Sequence, residues 1–348
     1  MTTSFPLVEG AYLKDLLEQA DCLRRTQALE LPGSLRDVAK RLRAPQPPFV
    51  VLTGMGSSFH ALHPLAVRLV ASGLRVAMLE TSEFVYYWNA LLDPNTIVVV
   101  VSQSGRSAEV VRLLEMNSGR SMIVGVTNDA DSPLAGEADA LALIDAGEES
   151  SVSCKTYVCT LLALSRIAAA LCSGDSTSLA QASLAVADDV EAYMSKWRDH
   201  VADAHEFLRQ TRSIVLAARG GSLASAGTGG LIIKEAARFP AEGMSAAAFR
   251  HGPLEMISKS LSLIVFEGDS KSSALNRGLV STARELGGNA QLISASSPEP
   301  LFRLSSTTDE LRPILEILPV QMITLALAAR EGREAGAFSY ASKITSSE

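Results

Sequence analysis

The chain has 348 residues, 47% hydrophobic and 20% charged, enough for about two domains with a large core. Its net charge of −7, with no basic stripe, argues against a nucleic-acid partner. The four cysteines, Cys22, Cys154, Cys159 and Cys172, form no C-x-x-C pair and no zinc-spaced cluster, so they read as free thiols in a reducing cytosol and no metal is expected. The first residues lack a charged-then-apolar signal pattern. No apolar run is expected to reach membrane-spanning length; Leu161 to Leu171 is interrupted by Ser165 and Arg166. A soluble cytoplasmic protein without membrane contact is the expectation.

Residues 11–29 have helical spacing, with Leu13, Leu16, Leu17 and Leu23 near one face, and a second helical stretch runs from Ser34 to Leu42. These helices are expected to cover a sheet or a partner. After the stiff Pro45–Pro48 connector, Phe49–Thr53 reads as a strand, Gly54-Met-Gly-Ser-Ser58 as its turn and residues 60–72 as a helix. Arg75–Leu79 is a second strand, followed by a polar and aromatic connection from Glu80 to Trp88. Further strands are read at Ile97–Val101, Met122–Thr127 and Ala140–Ile144. Strands alternating with helices predict a parallel, doubly wound sheet. Gly54-x-Gly56 lacks the third glycine of a dinucleotide fingerprint, and no organic cofactor is expected.

Ser102-Gln103-Ser104-Gly105-Arg106-Ser107 lies between the carboxyl end of a strand and the start of a helix, where open α/β sheets bind ligands. Its hydroxyls and the helix amides suit a phosphate; a helix start capped by Ser is the plainer alternative. Gly147 to Tyr157 is a further small-residue turn before a long helix, and residues 173–210 form a polar helical connector. The pattern then returns about 164 residues on, with strands at Ser213–Ala218, Leu261–Phe266 and Ala290–Ser294, so the chain reads as a tandem repeat. The second copy carries Glu267-Gly-Asp269-Ser where the first carries the serine turn. Two carboxylates there would repel phosphate, so one anion site per chain is expected.

A helix begun near Ala224 is read as continuing through Lys234-Glu235 to Glu242, in a glycine-rich setting expected to loosen its start at about 1 kcal/mol per glycine. Glu235 and His251, either side of a Pro-containing bend, suit general acid–base work; a solvated Glu and a turn His are the plainer reading. The tail carries Lys343, either solvated or folded over a pocket to present an amine to a ketose carbonyl.

Gly56-Ser57-Ser58, the Ser102–Ser107 turn, Ser151-Val-Ser153-Cys-Lys-Thr156, Lys234-Glu235 with Ala241-Glu242, Phe249-Arg-His251-Gly-Pro253 and Ser342-Lys343-Ile-Thr345 stand in an order that resembles the double sugar-isomerase (SIS) domain family. That family includes the isomerase half of glucosamine-6-phosphate synthase, fructosamine-6-phosphate deglycases and SIS-type aminosugar-phosphate deaminases. The resemblance implies two tandem flavodoxin-like three-layer αβα units with parallel sheets. The expected divisions are N-terminal helices over 1–45, SIS domains over 46–172 and 211–334, the connector over 173–210 and a tail over 335–348. It also implies phosphate binding by Ser58, Ser102, Gln103, Ser104 and Ser107, with Ser153 beside the sugar. Glu235 would then be the C1–C2 proton carrier, His251 the ring opener supplied to a partner subunit in a homodimer with shared sites, and Lys343 the group at the ketose carbonyl.

Thr228, Ile232 and Ala248 stand where the synthase pattern has ionisable residues. With no N-terminal nucleophilic Cys, ammonia transfer from glutamine is not expected, and with no helix-turn-helix region a transcriptional regulator is not expected. Two functions remain open. One is an isomerase acting on a sugar or aminosugar 6-phosphate through an enediol, with or without deamination or deglycation. The other is a sugar-phosphate sensor that has lost catalysis.

Overall fold

The computed structural model describes residues 8–172 and 176–340; Lys343 lies outside them. The chain divides into two compact units, each with one parallel sheet. The first-sheet unit comprises residues 21–148, 155–172 and 176–185. The second-sheet unit comprises residues 8–20, 149–154 and 186–340.

The first sheet contains β1 (Phe49–Gly54), β2 (Val76–Glu80), β3 (Thr96–Val101), β4 (Met122–Thr127) and β5 (Ala140–Leu143), in the order β2-β1-β3-β4-β5. Every residue of β3 is buried, as the unbroken β-branched run predicts for a central parallel strand. Val98 pairs with Val51 on one side and Ile123 on the other. Below one face, Phe84, Val85, Val110, Leu113 and Leu134 close a core against Val51, Val98 and Val100. The Glu80–Trp88 connection holds a helix, Thr81–Tyr87. Its β-branched and aromatic residues disfavour helix locally, and burial of Phe84 and Val85 overrides that preference.

The second sheet contains β6 (Ser213–Ala218), β7 (Ala241–Ser245), β8 (Leu261–Phe266) and β9 (Asn289–Ile293), in the order β7-β6-β8-β9. Its order repeats that of β2-β1-β3-β4, as a tandem repeat requires. The helix expected to reach Glu242 instead spans Leu223–Ala237 and ends where Arg238 turns left-handed at φ +51°. Residues 241–245 are β7, a half-exposed edge strand. The glycines of that helix do not loosen its start. A Cβ on Gly230 would lie 2.5 Å from the Gly243 nitrogen, and one on Gly243 2.0 Å from the Ala226 oxygen. These glycines let helix and β7 touch backbone to backbone.

A 19-residue helix, Arg312–Arg330, is long and apolar enough to cross a membrane by length and composition, a span the residue pattern did not bring out. Its 18-residue window is 94% buried inside the protein, which makes it a core helix. Its buried Gln321 exchanges reciprocal amide hydrogen bonds with Gln19 at 3.0 and 2.8 Å, so the polar pair is satisfied. The N-terminal stretch forms two helices, Ala11–Leu17 and Gln19–Ala28, and buries Leu13, Leu16 and Leu23 within this chain; Leu17 is 46% exposed. Those leucines therefore need no partner subunit to cover them.

Candidate functional site

The first sheet reverses its strand order between β1 and β3, and the turns after these two strands flank the crevice this creates. After β3, the Ser102 amide continues the ladder by donating to the Val126 carbonyl at 3.1 Å. The Gly105 amide folds back onto the Ser102 carbonyl at 3.2 Å and the Ser102 Oγ at 3.1 Å. Gly105 sits at φ +60°, and a Cβ there would lie 2.2 Å from Ser132 Oγ, so the tight turn requires glycine. The Gln103 carbonyl accepts from the Asn128 amide at 3.0 Å and Thr127 Oγ1 at 3.2 Å, which pins the backbone and leaves the Gln103 side chain half-buried.

Ser107 occupies the N-cap of the Ala108–Asn117 helix, but its side chain makes no capping bond. The plain capping reading therefore fails for this hydroxyl, and the helix amides are not satisfied by it. Arg106 departs from the crevice: it donates to Asp129 and to the Asp131 carbonyl, both at 2.8 Å. The guanidinium holds the half-buried Asp129 carboxyl below the usual range. After β1, Gly56 turns left-handed at φ +53° and starts the Gly56–His60 helix, with Ser58 half-buried. Its neighbour Ser57 is buried and its Oγ has no partner, a polar atom the sequence reading did not single out.

The corresponding crevice of the second sheet lies between β6 and β8, and its polar groups are already spent. The Ser222 and Ser225 hydroxyls each donate to the Glu316 carboxylate at 2.8 Å. Glu316 is 2% exposed, and burial pushes its carboxyl up to about 7 against the opposing pull of the two hydroxyls and Arg312. Asp269 accepts from the Ser272 amide and hydroxyl at 3.0 and 2.8 Å, and Glu267 is paired with Arg277. Two carboxylates therefore stand where the first unit has its serine turn, and a third, Glu316, is held by the two serines that follow β6. The acids at 267 and 269 were visible in the sequence. Glu316 was not, because its partners stand about 90 residues away in the chain.

Glu235 is half-buried near the end of the Leu223–Ala237 helix. Its charge reaches the fully buried Tyr12, whose phenol is raised well above its ordinary value, first by burial and also by Cys154, Glu149 and Glu235. Tyr12 therefore stays protonated, and its hydroxyl accepts from Thr324 Oγ1 at 3.3 Å. Nothing in the sequence marked Tyr12 as a neighbour of Glu235. Ser153 is half-buried in a segment fixed by its neighbours: the Cys154 amide donates to Glu149 at 2.9 Å and Ser151 Oγ to the Gly336 carbonyl at 2.8 Å. His251 is exposed at the end of the Ala246–Arg250 helix, followed by Gly252 at φ +134°. Thr228 and Ile232, on the Glu235 helix, are both fully buried, and Thr228 Oγ1 has no partner.

Two parallel α/β sheets of one topology, the first with a serine-lined switch point, define a tandem-repeat protein of the flavodoxin-like class. The SIS domain matches residues 47–170 and 207–330, and the chain belongs to that family. It is 27% identical over 331 residues to glutamine–fructose-6-phosphate aminotransferase (isomerizing) of Pyrobaculum aerophilum, covering 92% of this chain and 54% of that protein. The chain thus spans about half the length of the curated relatives it matches. Its fold is shared with the C-terminal domain of glucosamine-fructose-6-phosphate aminotransferase from Francisella tularensis, with TM-score 0.81, 17% identity and coverage of 94% and 98%. The tagatose-6-phosphate ketose/aldose isomerase of Escherichia coli gives TM-score 0.80, 16% identity and coverage of 95% and 98%.

Proposed function

We propose that this chain is a phosphosugar isomerase whose substrate, a sugar or aminosugar 6-phosphate, is anchored by its phosphate on the first unit's serine turn. The observation that carries the reading is the contrast between the two switch points. The Ser107 hydroxyl makes no capping bond and the Ser57 hydroxyl has no partner. At the second switch point Ser222 and Ser225 are consumed by Glu316. A dianion is favoured where amides and hydroxyls are uncommitted and disfavoured beside carboxylates.

In this reading Ser58, Ser102, Gln103, Ser104 and Ser107 hold the phosphate and Ser153 lies beside the sugar. His251 opens the ring, Glu235 takes the C2 proton of the open aldose and returns it to C1 through the enediol, and Lys343 neutralises the carbonyl oxygen. The buried phenol of Tyr12 keeps a neutral neighbour at Glu235. The protein acts as a cytoplasmic homodimer with His251 delivered to the neighbouring subunit, which its exposure permits.

Fructose 6-phosphate, glucosamine 6-phosphate and a fructosamine 6-phosphate, assayed for isomer formation and ammonia release, test the reaction. The account expects turnover of at least one, lost in Glu235→Gln with binding retained. A second reading, a sensor that binds without turnover, is favoured by one observation: the Glu235 helix carries the buried, uncharged Thr228 and Ile232 at the two positions where the synthase pattern has ionisable residues. Tight binding with no product from any of the three sugars would select it.

A further inference from the structure

At the amino ends of β6 and β8, within the second-sheet unit, lies a cleft of about 590 Å³. Arg209, Arg212, Lys259 and Arg330 line it, and no acid does. The whole chain carries 38 acids against 31 Lys and Arg, so a cleft lined by four cations departs from its general balance; of the four, Arg330 has Glu331 at 3.8 Å and Arg209 has Glu206. An adjoining cavity of about 390 Å³ shares Arg209 and Lys259 and adds Phe207 and Asn289. Its one acid, Glu206, sits 3.1 Å from Arg209, and both side chains are well exposed. Such a pair is weakly held and yields readily to a stronger anion.

The four cations differ in their duties. Arg330 is structural: its Nη1 donates to the Leu208 and Thr211 carbonyls at 3.2 and 3.4 Å, and its guanidinium lies 5.2 Å from the Phe239 ring centre. It fixes the wall. The Arg212 amide donates to the Ser260 carbonyl at 2.8 Å, which sets the 209–212 and 259–260 backbones side by side. Arg212 and Lys259 thus issue from neighbouring strand entrances, and among the described residues neither has a carboxylate within 4.0 Å. Leaving two cations unpaired beside a third, loosely paired one is electrostatically unfavourable unless an anion visits.

We propose that this cleft is a second anion site, for a ligand bearing a diphosphate group. Three available cations match the charge of a diphosphate better than that of one phosphate, and guanidinium forks suit adjacent phosphoryl oxygens. The cleft volume falls in the range of small-ligand sites, and the adjoining cavity gives an attached group room beside Phe207. The shared chemistry belongs to free pyrophosphate and to a nucleoside diphosphate alike. None of these residues belongs to the serine turn, so the site is independent of the isomerase reading.

Calorimetric titration of the full chain at low salt with inorganic pyrophosphate, and separately with ADP, tests it. The expected result is a saturable site that is weakened at least about tenfold in R212E/K259E and unchanged within about twofold in Ser104→Ala, which alters only the serine turn. R212Q/K259Q, at the same exposed positions and without charge reversal, is the control for folding and should also weaken binding. ADP binding tighter than pyrophosphate identifies the attached group's cavity as used; the opposite order identifies free pyrophosphate as the ligand. Absence of saturable binding, full affinity in both double variants, or loss of binding in Ser104→Ala would overturn the proposal.

Discussion

Glu316 offers a stability prediction that depends on little besides its surroundings. Its carboxyl moves from an ordinary 4.5 to about 7 because burial outweighs the hydroxyls of Ser222 and Ser225 and the charge of Arg312. The folded protein therefore holds this proton more tightly than the unfolded chain. For an acid raised in this way, the contribution is complete below the unfolded value of 4.5 and is lost as pH rises through the folded value near 7. A shift of that size corresponds to about 3 kcal/mol at 25 °C. Glu316→Gln keeps the side chain's size and can still pair with both serines, and it removes the titration. Urea unfolding, followed by the fluorescence of Trp197 in the same unit, measures the difference. The variant should match the wild type near pH 4.5 and gain on it steadily, reaching an advantage of about 3 kcal/mol above pH 7. A difference independent of pH between 5 and 8 would refute the argument that burial governs this carboxyl.

Other outcomes follow from the first unit and from the proposed dimer. Gly105→Ala forces a Cβ into a left-handed position 2.2 Å from Ser132 Oγ, and should cost about 1–2 kcal/mol in urea unfolding together with phosphosugar affinity in calorimetry. Burial, with His60 beside it, lowers His63 to about 4, so the folded state holds it neutral while the unfolded chain takes up a proton below about pH 6.5. The contribution of His63 should therefore be lost as pH drops from 6.5 towards 4, and His63→Gln should gain stability relative to the wild type in urea unfolding over the same window. Inactive Glu235→Gln and His251→Ala proteins, unfolded and refolded together, should recover part of the isomerase activity at one of the two sites of the hybrid. No recovery would place both residues in a site made by one subunit.

Much of this architecture was legible as pattern. The unbroken valines of β3 and the matching run in β8 announce central parallel strands, because burial on both faces favours apolar residues; the one serine inside β8, Ser262, is buried and bonded to Thr211 and Asn289. The Ser102–Ser107 turn was legible for a similar reason: small hydroxyl residues and glycine end an apolar run abruptly. β7 escaped because Ala241-Glu-Gly-Met-Ser245 is a half-exposed edge strand with no apolar alternation. The repeat offset of about 164 residues, applied to β2, would have placed it. The glycines at 229 and 230 read as helix weakeners because their reason, the backbone of β7, is a tertiary contact. Glu316 and Tyr12 were invisible on the same ground. A lone acid between isoleucines and leucines, or a tyrosine in a short helix, gains its chemistry only from residues far along the chain.

The difference in function assigned to two copies of one unit rests on where the phosphate goes. A crystal of the protein grown with fructose 6-phosphate answers that directly. The account predicts phosphate density in the β1–β3 crevice, within hydrogen-bond reach of Ser58, Gln103, Ser104 and Ser107, and none beside Glu267 and Asp269. Phosphate at the β6–β8 crevice, or a first crevice left without phosphate while sugar is bound elsewhere, would contradict it.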